Sequence, residues 1–163
     1  MKRLAVLTWL AILSGWIANA QPNILNTYTA TCDTTPSAAT TACTIQQPAS
    51  GAKTVEFVEA FISTAAATDI TFTCNGTAAS GTAVTPAVNN PGVASAATAT
   101  AWHTSDAGSG TACGPTIPLS AGAAPTLNIA DYQLRGNGTT KNFTIRASSM
   151  TGRIVIVVKW REY

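Results

Sequence analysis

Charge is what this sequence has least of. Lysine, arginine, aspartate and glutamate make up 10% of its 163 residues, against about a quarter in typical soluble domains. Such a chain has no basic patch to draw nucleic acid and no polybasic run for an anionic membrane. Histidine is scarcer, with His103 standing alone. No C-x2-C pair occurs, so cysteine-ligated metal is not expected. The G-x-G runs at Gly108–Gly110 and Gly136–Gly138 do not open a helix and read as turns rather than phosphate cradles. No cofactor is expected, and no nucleic-acid partner.

The chain has one long apolar run, from Leu4 to Ile17, behind Lys2 and Arg3. Ala18 and Ala20 follow at small-residue cleavage positions, the layout of a secretory signal peptide over residues 1–20. The run is shorter than the roughly 20 apolar residues a bilayer span needs. Cleavage after Ala20 starts the mature chain at Gln21 and leaves no membrane span. It also removes Lys2 and Arg3, so seven basic and seven acidic residues balance and the net charge falls to near zero. The expected location is secreted, periplasmic or cell-surface.

All four cysteines, Cys32, Cys43, Cys74 and Cys113, follow the signal. An even count in an exported chain reads as disulfides, with three connectivities open. The expected pairing is Cys32–Cys43, tying off the DTTPSAATTA stretch, and Cys74–Cys113, joining a strand end to a Gly-Pro turn. Residues 21–52 read as an extended N-terminal segment with a stapled loop, and residues 53–163 as the core of the domain.

Short strand-like runs fill that core. In KTVEFVEAFI at 53–62, Val55, Phe57 and Phe61 share one parity while Val58, Ala60 and Ile62 share the other. DITFTC at 69–74 alternates cleanly, with Ile70, Phe72 and Cys74 on one face, and Asn75-Gly76 is a turn signal. TATAWHT at 98–104 reads as a strand with Trp102 inward. Leu127 and Ile129 change parity with Tyr132 and Leu134, which predicts a bulge near Ala130. RIVIVVKW is continuously apolar from Ile154 to Val158. Such a run suits burial on both faces, a central position, or an edge awaiting a partner. Seven or eight strands with no mature helix predict an all-β, disulfide-stabilised antiparallel β-sandwich.

Chemistry-bearing residues are few. His103 precedes Ser105 and Asp106, a local run that seldom builds a nucleophile–base–acid geometry. Glu56 and Glu59 lie three apart, which on a regular strand sends them to opposite faces. The run Asp106–Gly110 has too few oxygen ligands for calcium. Trp102, Tyr132 and Trp160 are the candidate binding residues, able to stack on a glycan if exposed together, and core residues if not. Asn75, Asn137 and Asn142 head N-x-S/T sequons.

In its Ala/Thr/Gly-rich composition, its Cys74 to Cys113 spacing and its run from Ile154 to Trp160, the chain resembles bacterial fimbrial subunits. These are exported, disulfide-bonded sandwiches ending in an apolar strand. It departs from them in having four cysteines and in ending on Tyr163, where fimbrial subunits usually carry one disulfide and an aromatic next to last. The expected function is that of a non-catalytic structural or interaction protein of the cell envelope or exterior. Self-association or a protein partner engages it through a sheet edge. The alternatives are a secreted glycan-binding module and, more weakly, a secreted hydrolase using His103.

Overall fold

A computed structural model describes residues 26–35, 40–76, 79–90, 95–104, 110–148 and 152–163. The expected signal peptide and Gln21 lie outside the described residues. Thirteen strands and no helix are found among those described: β1 (Asn26–Thr34), β2 (Thr40–Gln47), β3 (Thr54–Thr64), β4 (Thr68–Cys74), β5 (Thr82–Val84), β6 (Ala87–Val88), β7 (Thr100–His103), β8 (Thr111–Ala112), β9 (Ile117–Leu119), β10 (Thr126–Asn128), β11 (Gln133–Arg135), β12 (Lys141–Ser148) and β13 (Ile154–Glu162). They form two antiparallel sheets packed face to face. The first runs β10-β3-β13-β1-β6, with β11 also on β3; the second runs β5-β7-β2-β12-β4-β8, with β9 also on β4. This is the disulfide-stabilised sandwich expected from the strand pattern.

The continuously apolar strand β13 is central, paired with β1 over nine residues and with β3 on its other side. It is not an edge, and it is not buried on both faces. Ile154, Ile156, Val158 and Trp160 point inward at 0% exposure, while Val155, Val157 and Lys159 form a half-buried outer face. The stretch read as an extended N-terminal segment supplies β1 and β2, one strand to each sheet.

The mixed parity of β3 has a local cause. Lys159 pairs with Glu59, but Trp160 pairs with Phe57, so Val58 is one residue in excess. This bulge lets Val55 and Phe57 share the inward face with Ala60 and Ile62. The neighbouring edge breaks at the same level. β10 stops opposite Glu59, β11 resumes opposite Glu56, and residues 129–132 turn between them. The parity change near Ala130 is that break.

Asn75-Gly76 turns the chain, with Asn75 at φ 56°, but does not make a hairpin. β4 lies next to β12, whereas β5 lies on the opposite edge beyond β7. Side chains of the strands in between hold the crossover. Asn142 accepts from the Gly76 N–H (2.8 Å) and donates back to the Gly76 carbonyl (3.1 Å). Gln46 accepts from the Ala79 N–H (2.7 Å). Asn142 is 1% exposed, so its sequon is sealed.

The core is an aromatic stack between the sheets. Phe143 of β12 meets Phe57 of β3 (centroids 4.6 Å apart), Tyr132 (4.7 Å) and Phe72 (5.8 Å). The disulfides pair as expected, Cys32–Cys43 across the two sheets and Cys74–Cys113 from β4 to the residue after β8. They close loops of 11 and 39 residues in sequence separation, stabilising by about 3 and about 4 kcal/mol on the chain-entropy model. Cys32 and Cys43 are sealed in the core (1% and 0% exposed), while Cys74 and Cys113 are only partly buried. Graded reduction with thiol alkylation should therefore label Cys74 and Cys113 first, read by mass spectrometry. Initial labelling of Cys32 and Cys43 would contradict that order.

Candidate functional site

The three candidate aromatics occupy three different environments. Ala101 of β7 is 1% exposed and points inward, so Trp102 points to the outer face, half-buried, and not into the core as its strand pattern suggested. The reason is register: Ala101 pairs with Ile45 and Trp102 with Thr44, so the inward Ile45 sets the parity. The Trp102 indole N–H donates to the Thr100 hydroxyl (3.2 Å). Tyr132 sits in the edge break between β10 and β11 and stacks into the core beside Phe72 and Phe143. Trp160 is fully buried and stacks on Tyr28 with centroids 5.9 Å apart. The rings share no surface, so they form no stacking platform.

His103 lies at the end of the sandwich that holds the Cys32–Cys43 bridge, opposite Cys43 in register. Its ring Nδ1 lies 3.3 Å from the Thr104 hydroxyl. Ser105, Asp106 and Gly108, its expected local companions, lie outside the described residues. Asp33, at the same end of the sandwich, is committed elsewhere. The Arg153 guanidinium donates to both its carboxylate oxygens, from Nε (2.9 Å) and from Nη2 (2.6 Å). These hydrogen bonds hold the Asp33 carboxyl below its ordinary value, against a smaller opposing effect of burial and with weaker help from the charges of Arg153 and His103. The bidentate geometry is the strong form of this contact and ties the end of β1 to the start of β13.

Glu56 and Glu59 do share a face, contrary to the three-residue spacing rule, because the bulge at Val58 intervenes. Glu56 lies opposite Arg161, and Glu59 accepts from the Lys159 ammonium (3.2 Å). Each carboxylate thus faces a cation across the ladder. A shallow depression of about 410 Å³ beside them is lined by Glu59, Phe61, Val157 and Lys159 among others. Among the described residues no group of three potential metal ligands occurs.

The residue that the sequence pattern concealed is Glu162. It continues the inward parity of Trp160, and its side chain is 0% exposed. One carboxylate oxygen accepts from the Ala99 N–H (2.9 Å) and the Trp160 indole N–H (3.1 Å). The other accepts from the Thr98 N–H (2.8 Å) and lies 3.9 Å from the Lys53 ammonium. Beside it, the Tyr28 hydroxyl donates to the Ser95 carbonyl (3.0 Å) and the Asn26 amide to the Ser95 hydroxyl (2.6 Å). The clamp holds residues 95–99, which lead into β7 of the second sheet, against the end of the first. The one signal available was an acid on the buried parity of the last strand.

Comparison with protein families, with curated proteins and with solved structures finds no match to this chain.

Two outcomes follow from these poles. Glu162→Ala leaves three N–H donors without their acceptor at a largely buried site and should cost about 3 kcal/mol or more by chemical denaturation. Glu162→Gln should recover part of that, and a loss under about 1 kcal/mol for the alanine variant would remove the clamp. Because folding lowers the Asp33 pKa, its contribution is present above the ordinary carboxylate range and is lost as pH falls through the lowered value. Asp33→Asn should therefore flatten the acid limb of thermal stability against pH, and an unchanged limb would contradict the coupling.

Proposed function

We propose that this is an exported, non-catalytic structural or interaction protein of the cell envelope or exterior, engaged through a sheet edge. Two disulfides suit an oxidising, extracellular setting. Among the described residues no helix is long and apolar enough to cross a membrane. The low charge leaves a surface of threonine, serine, asparagine and alanine, which packs against another chain with little charge to desolvate.

The observation that carries this reading is the far side of β1. The Asn89 N–H donates to the Thr27 carbonyl (2.8 Å). By alternation, Thr27, Thr29, Thr31 and Asp33 direct their backbone groups away from β13. β6 covers only Tyr28 and Thr29. Beyond them, no strand pairs with Thr31 or Asp33 on that side among the described residues. An unpaired stretch of this kind accepts a strand from another chain.

Thr31→Pro removes the outward N–H without touching the ladder to β13, and edge positions tolerate proline. The wild type should associate with concentration in light scattering. The variant should stay monomeric with its disulfides intact and its unfolding midpoint within a few degrees. Association unchanged by the proline, or a wild type that remains monomeric at every concentration reached, would overturn the edge reading.

A further inference from the structure

The mature chain has few charges, and most cations have an acid at hand. Lys53 lies by Glu162, Arg153 is paired with Asp33, and Lys159 with Glu59. Arg161 faces Glu56 across the ladder. Arg135 and Lys141 differ: their side chains have no hydrogen-bond or ion-pair partner among the described residues. They are nevertheless brought together. Arg135 ends β11 in the first sheet and Lys141 begins β12 in the second. The chain passes between them through Gly136–Thr139, closed by the Thr139 N–H donating to the Gly136 carbonyl (2.8 Å). Positive φ at Asn137 (41°) and Gly138 (82°) makes so tight a return possible.

Both cations line one depression of about 360 Å³ at the seam of the two sheets, together with Asn75, Gln133 and Leu134. Glu56, the acid opposite Gln133 in register, does not line it. β11 is an edge strand with no neighbour on its far side among the described residues, so the depression opens along that edge.

We propose that this seam binds the carboxylate or sulfate group of an acidic polysaccharide. Guanidinium and ammonium supply charge-assisted hydrogen bonds to the oxyanion. The carboxamides of Asn75 and Gln133 supply both donors and acceptors, which suits the hydroxyls of adjoining sugars. Leu134 is 4% exposed and offers no stacking surface, so an aromatic ligand or an unstacked nucleobase has nothing to lie on. The site is independent of the β1 edge and of the three aromatics picked out by the sequence.

The test is an amide-resolved NMR titration of the disulfide-bonded mature protein with an oligomeric uronate, a neutral oligosaccharide of equal length, and inorganic phosphate. The uronate should move the resonances of Gly76 and of residues 133–141, and weaken with added salt. Arg135→Gln and Lys141→Gln should each lower affinity several-fold, and the double variant about tenfold or more. Equal shifts with the neutral sugar, wild-type affinity in the double variant, or no response to the uronate would overturn the proposal. Phosphate binding as tightly as the uronate would overturn its saccharide part. Unchanged thermal unfolding of the variants separates these outcomes from misfolding.

Discussion

Ile154, Ile156, Val158, Trp160 and Glu162 occupy one face of β13, and that face is sealed between the sheets. Every neighbouring element takes its position from it. The ladder to β1 places Tyr28 against Trp160, and the ladder to β3 fixes where the Val58 bulge must fall. The strand then ends on a carboxylate whose burial is tolerable only because backbone and indole N–H groups converge on it. A hydrophobic strand and a buried charge are therefore parts of one constraint. The apolar residues bring the sheets together, and Glu162 determines which segment closes that end.

The parts of this fold that were legible in the sequence are those decided by local alternation. Ile70, Phe72 and Cys74 face inward as their spacing requires, and both disulfides join the cysteines that bracket the polar stretches. The parts that were not legible depend on partners far along the chain. Trp102 points outward because Ile45, more than fifty residues away, claims the inward register for Ala101. Glu56 and Glu59 share a face because one residue is extruded opposite β13, and no run of ten residues carries that information. Asn75-Gly76 is a good turn signal in the wrong context, since the turn starts a crossover pinned by Asn142 and Gln46.

The candidate site divides along the same line. Residue type singled out Trp102, Tyr132 and Trp160, but exposure depends on tertiary register, which scatters them over an outer face, an edge break and the core. The depression at Arg135 and Lys141 was invisible for a related reason. Two isolated cations attract no notice in the sequence until the topology shows which cations have partners.

Scarcity of charge gives each ion pair a clear structural task. Asp33 with Arg153 pins β1 to the start of β13, Glu59 with Lys159 spans the bulge, and Glu162 closes the opposite end. Asp33, the acid near the open stretch of β1, is engaged by Arg153, so that edge is guarded by a neutralised pair rather than by an unpaired charge. Unpaired charge is a common defence of an exposed strand edge. Its neutralisation here leaves the far side of β1 without that defence.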